Sequence, residues 1–119
     1  MVHVDFVALP ELTREPPGKL PEIDQKYLQS HASSRGLTKY DYSDEEHKRR
    51  RKLAMDNNAS EEFIHNFDRT FNFIYWMTIR ARTGKINSIS GMCYDIALKN
   101  YADLAEVTEK ESAKPGGFS

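Results

Sequence analysis

Six aromatic side chains crowd into residues 63–76, and their spacing constrains this chain more than any other feature of it. Placed at about 100° per residue, Phe63, Ile64, Phe67, Phe71, Ile74 and Tyr75 fall within one sector roughly 120° wide. Glu62, His65, Asn66, Asp68 and Arg69 take the other side. Further along the pattern changes, because Phe73, Trp76 and Met77 sit on the side that had been polar. The spacing predicts a helix over 59–83 with one apolar face along its length and a second near its C-terminal end. Gly84 suits a C-cap, and Arg80, Arg82 and Lys85 complement the negative end of the helix dipole.

A second long helix is expected over 88–111. Its principal stripe reads Ile89, Met92, Cys93, Ile96, Ala97, Leu104 and Val107, with Tyr94, Leu98, Tyr101 and Ala105 as an adjacent one. Asn100 falls inside the principal stripe, where a buried amide needs a hydrogen-bond partner. Tyr75 is one such partner, and fixing register in an oligomer is a sharper role for it. Two antiparallel helices joined over 84–87 bury one stripe each against the other. The remaining faces need a further cover, since a large aromatic left in water forgoes on the order of 2 kcal/mol. Residues 1–42 hold enough apolar side chains to supply it: Val4, Phe6, Leu9, Leu12, Leu20, Ile23 and Tyr27. Another chain is the alternative cover, through self-association or a different partner. Phe73, Trp76, Met77, Tyr94, Leu98 and Tyr101 are then the expected protein-binding anchors, being the residue types that interface cores favour.

Upstream of the pair, Ser43 followed by Glu46 is a capping-box start for a shorter charged helix reaching about Asp56. Asn58 with Glu61 reads as the start of the next. Residues 2–9 alternate weakly and read as an extended arm, since no partner strand is visible. The TREPPGKLP stretch at 13–21 forms a linker, because adjacent prolines deny it regular hydrogen bonding. A short helix from Pro21 to before Gly36 would turn Ile23, Tyr27 and Leu28 inward. The fold expectation is all-α or nearly so: two long antiparallel helices, a shorter charged helix and an irregular extended N-terminal arm. The organisation that follows is an arm over 1–42, a helical domain over 43–112 and a flexible tail over 113–119.

A chain of 119 residues suits one domain able to bury a core without disulfides or metal. The single cysteine, Cys93, forms no internal disulfide, and the N-terminus lacks the basic start and apolar core of a signal peptide. The apolar run at 71–79 is far short of the roughly 20 residues that span a bilayer. A cytoplasmic or nuclear setting without membrane attachment is the expectation.

Net charge is −1, and only the segment 43–85 is basic, with nine basic against seven acidic side chains. Its centre is Lys48, Arg49, Arg50, Arg51 and Lys52. Five adjacent cations wrap a helix, so three or four of them at most could face a phosphate backbone. Asp44, Glu45 and Glu46 lie one turn upstream to pair with them. A solvated, internally paired face is the plainer reading. A nucleic-acid or anion site, with Arg80, Arg82 and Lys85 as a second patch, is the sharper one, and a nuclear import signal is a third.

Catalytic and metal signals are weak. Glu62 and His65 have the spacing of a carboxylate-bridged di-metal helix, but the second motif such a site needs is missing. His3, His31 and His47 are scattered, and with one cysteine no familiar zinc framework can be built. Cys93 reads as a small buried hydrophobe rather than a nucleophile. Gly84-Lys85 lacks the upstream glycine of a phosphate-binding loop. No cofactor is expected. The sequence therefore points to a non-enzymatic protein-binding module, an adaptor, assembly factor or regulator of a larger complex, with a nucleic-acid-associated regulator as the alternative.

Overall fold

A computed structural model describes residues 19–37 and 39–118. The chain is all-α: α1 spans Glu22–Ser34, α2 Asp44–Asp56, α3 Glu61–Arg82 and α4 Ser88–Ser112, and no strand occurs among the described residues. The extended arm expected over 2–9 lies outside them.

Side-chain caps set the starts of α2, α3 and α4, while α1 begins after Pro21 without one. Ser43 Oγ accepts from the Glu46 amide at 3.2 Å, but the Glu46 carboxylate turns to Arg49 rather than back, so only half of the capping box forms. The next start is Ser60, which accepts from the Phe63 amide at 3.1 Å, and not Asn58. Asn58 instead takes a φ of 70° and closes α2, with the Ala59 amide reaching back to the Ala54 carbonyl at 3.0 Å. Asparagine tolerates the left-handed conformation that ends a helix, and that role displaces its capping one. Gly84, at φ 72°, ends α3 in the same way, with the Lys85 amide on the Arg80 carbonyl at 2.7 Å.

One core takes side chains from α1, α3 and α4. Leu28 and Ala32 of α1, with Leu20 and Tyr42, join Phe67, Phe71, Phe73, Ile74, Tyr75 and Met77 of α3, and Tyr94, Ala97, Leu98, Tyr101 and Ala105 of α4. Part of the expected arm, residues 20–42, thus supplies cover. Leu28 and Ala32 are the buried apolar side chains of α1, while Tyr27 is half-buried and Ile23 is left 60% exposed.

The stripes of α4 are exchanged relative to the reading above. Its adjacent stripe, Tyr94, Leu98, Tyr101 and Ala105, faces the core together with Ala97 of the principal stripe, while Ile89 and Met92 of the principal stripe are 70% and 57% exposed. Asn100 is exposed too, so no buried amide needs a partner there. Two apolar stripes on one helix compete for the interior, and the one whose hydroxyls find partners wins. Tyr94 Oη meets Thr78 Oγ1 at 2.7 Å, and Tyr101 Oη meets His47 Nδ1 at 2.8 Å.

The end of the chain, expected to fray, turns back over 113–118 onto the corner between α2 and α3. The Phe118 amide donates to the Asn57 carbonyl at 2.8 Å, and the Phe118 ring sits 4.9 Å from that of Phe63. Only glycine fits at 117: a Cβ there would lie 2.1 Å from the Asn57 carbonyl oxygen, and its φ is +64°.

Candidate functional site

Each short helix is held by the same device. On α2, His47 and Arg51 stand one turn apart and share the Asp68 carboxylate of α3. His47 Nε2 lies 2.9 Å from Oδ1, and Arg51 Nε donates to Oδ2 at 2.9 Å. At the C-terminal end of α1, His31 and the capping residue Arg35 share Asp95 of α4 by the same atoms, Nε2 to Oδ1 at 2.6 Å and Nε to Oδ2 at 3.2 Å. Each imidazole also packs on the aromatic residue preceding its aspartate: His47 on Phe67 at 4.7 Å and His31 on Tyr94 at 4.8 Å between ring centroids. Spacing of i,i+4 puts histidine and arginine on one helix face, and the two oxygens of a carboxylate accept one donor each.

The α2 clamp continues inward. His47 Nδ1 lies 2.8 Å from the Tyr101 hydroxyl: with Nε2–H on Asp68, the neutral ring accepts from that hydroxyl and the imidazolium donates to it. Arg50 Nη1 approaches that hydroxyl at 3.5 Å and donates to the Asp41 carbonyl at 2.6 Å. Its Nε is buried without an acceptor among the described residues, and the guanidinium lies over the Tyr40 ring. His47 is stacked parallel on Phe71 at 4.1 Å, and Tyr101 on Phe67 at 5.0 Å.

Burial alone would raise the Asp68 carboxyl, yet the hydrogen bonds and charges of His47 and Arg51 hold it below its ordinary range. Burial pushes the Tyr101 phenol up, with Arg50 opposing, and the Tyr94 phenol up, with Thr78 opposing. An Asp–His–Tyr chain has the parts of a proton relay, but Tyr101 at its inner end is fully buried and meets no solvent. The arrangement fastens α2 to α3 and α4.

A lowered native carboxyl means that the unfolded chain binds the proton more readily. Asp68 therefore contributes stability that is whole above the ordinary carboxyl range near pH 4 and is lost as pH falls through its lower native value. Urea midpoints measured from pH 5 to pH 2 should fall less steeply for Asp68→Asn than for the wild type. Equal slopes would show that Asp68 is not held in this way.

The expected anchors are in the core. Phe73, Met77, Tyr94, Leu98 and Tyr101 are all buried, and Trp76 is half-buried with its indole N–H lacking an acceptor among the described residues. A closed bundle does not offer those five side chains to a partner.

The basic cluster is paired throughout. Lys48 meets Asp44 at 3.0 Å, Lys52 meets Asp56 at 2.7 Å, and Arg49 bridges Glu46 and Glu109 at 2.7 and 2.9 Å. Arg50 is buried and Arg51 clamps Asp68. In the second patch Arg82 pairs with Asp24. Glu62 and His65 are exposed, Cys93 is half-buried, and no three metal-ligating side chains converge among the described residues.

What faces outward on α4 is a continuous stripe. Ile89, Met92, Ile96, Asn100, Asp103 and Val107 lie in a sector about 80° wide at helical spacing, opposite the buried face. Ile89, Met92 and Val107 are the exposed apolar members, Val107 at 41%, and Ile96 is half-buried. Beside it Asn66, Arg69, Thr70, Asn100, Asp103 and Leu104 line a shallow groove of about 340 Å³ between α3 and α4. Reading the sequence alone missed both clamps, although a signal for them exists: His-x-x-x-Arg occurs at 31–35 and 47–51, and an aromatic–aspartate pair at 67–68 and 94–95.

No protein-family model, no curated protein and no solved structure matches this chain.

Proposed function

We propose that this chain is a non-enzymatic protein-binding module, an adaptor, assembly factor or regulator, whose docking face is the outer stripe of α4. The long helices α3 and α4 form an antiparallel pair, and α1 and α2 are clamped onto them. The observation that carries the reading is the exposure of Ile89 and Met92 on one face of a helix whose opposite face is fully packed. Each forgoes on the order of 1–2 kcal/mol by remaining in water, which a partner would recover. Methionine is adaptable in shape and is favoured at interface cores. A cytoplasmic or nuclear setting belongs to the same proposal. Among the described residues no helix is long and apolar enough to cross a membrane. The nucleic-acid reading has less support, because the cations of 48–52 already have acidic or carbonyl partners.

The test compares the wild type with Ile89→Glu/Met92→Glu, after circular dichroism and thermal midpoints show both folded. A partner that co-purifies with the wild type, binds again from pure components and is lost from the variant supports the proposal. Equal binding by both chains would remove α4 as the docking face.

A further inference from the structure

The corner between α2 and α3 holds a short piece of chain by contacts that specify what the piece must be. The Asn57 carbonyl lies past the last turn of α2, where no helical amide reaches it, and that turn holds no basic side chain. The Phe118 amide donates to this carbonyl at 2.8 Å. Asn58, held at a φ of 70°, donates from its side-chain amide to the Gly116 carbonyl at 3.2 Å. The Phe118 ring then lies on Phe63, with 4.9 Å between centroids.

Each of the three positions is read by a different means. The first offers its carbonyl to Asn58 from a φ of 84°, which favours glycine. The second must be glycine, because a Cβ at 117 would lie 2.1 Å from the Asn57 carbonyl oxygen and 2.8 Å from its carbon. The third must donate a backbone amide, which excludes proline, and its ring meets an aromatic surface. Main-chain hydrogen bonds combined with one side-chain contact are the means by which peptide sites select their ligands.

The segment is held only by neutral contacts. Among the described residues no ion pair joins it to the corner, and its cation, Lys114, pairs with Glu111 of α4 instead. Irregular surface segments of this kind open far more readily than the core beneath them. Opening leaves Phe63 and the Asn57 carbonyl ready for another segment of the same chemistry.

We propose that the α2–α3 corner is a binding site for a Gly-Gly-aromatic segment of a partner, and that residues 116–118 keep it closed until such a segment displaces them. A short tether holds the chain's own segment at an effective concentration of the order of millimolar. A competing partner must therefore add contacts beyond these three residues. The corner shares no residue with the outer stripe of α4, so the two sites stand or fall separately.

The full chain, isotope-labelled, is titrated with a capped peptide of residues 113–118 while the amide resonances of Asn57, Asn58 and Phe63 are followed. Gly117→Ala and Phe118→Ala should each free the corner in the full chain, one by the Cβ collision and the other by loss of the ring. Both variants should bind the peptide several-fold more tightly than the wild type, whose own segment competes. The same peptide carrying Gly117→Ala should bind none of the three chains. Phe63→Ala added to either variant should weaken binding, with the amide spectrum showing each chain folded. A peptide that binds neither variant overturns the proposal, as does equal binding by wild type and variants. Equal binding of the two peptides would overturn the glycine requirement and with it the class of ligand.

Discussion

Replacing Tyr101 by alanine is expected to lower the free energy of unfolding by about 3–5 kcal/mol, the usual cost of deleting a fully buried ring. Tyr101 is inaccessible to solvent, stacks on Phe67 and lies within 5.6 Å of the Tyr42, His47 and Phe71 rings. Its removal opens a cavity where α2, α3 and α4 meet. Tyr101→Phe separates the polar part of that loss. The ring stays, but His47 Nδ1 loses its partner and Arg50 loses a neighbour for its Nη1, at a cost of about 1–3 kcal/mol for a buried group left unpaired. Urea unfolding of the three proteins gives both values. A phenylalanine variant as stable as the wild type would show that the hydroxyl plays no part in the network.

Leu98→Ala is expected to cost about 2–5 kcal/mol, and Ile89→Ala no more than about 0.5 kcal/mol. Both residues are apolar, nine positions apart on one helix, and sequence spacing ranks Ile89 in the principal stripe and Leu98 in the lesser one. The structure reverses that order, with Leu98 fully buried and Ile89 70% exposed. Chemical denaturation of the two variants therefore reports directly on which face of α4 is core. Equal losses would mean that both faces are covered in the folded monomer, and the docking face would have to lie elsewhere.

Much of the fold is legible from the sequence because local rules govern it. Helix caps at Ser43 and Gly84 act within a few residues of themselves, so they can be read without knowing the rest of the chain. The pattern of Phe67, Phe71, Ile74 and Tyr75 likewise marks a buried face by spacing alone. Asn58 was misread because asparagine both starts helices and ends them, and only its φ of 70° tells which. The clamps were illegible for another reason. His47 lies 21 residues from Asp68, and His31 lies 64 from Asp95, so nothing local links the partners. A histidine among exposed charges reads as surface until the helix carrying it is docked.

The two-faced helices show where sequence and tertiary structure divide the work. The sequence determined by itself that α3 and α4 are helices and that each has more apolar surface than one mutual contact can hide. Periodicity is a property of one helix and is written in residue order. Which face is hidden is a property of the assembled bundle. Tyr94 and Tyr101 go inside because Thr78 and His47, from other helices, accept or donate at their hydroxyls. Burying a phenol without such a partner would cost more than its ring gains. Ile89 and Met92 were left outside by that choice, and the candidate docking face came into being with it.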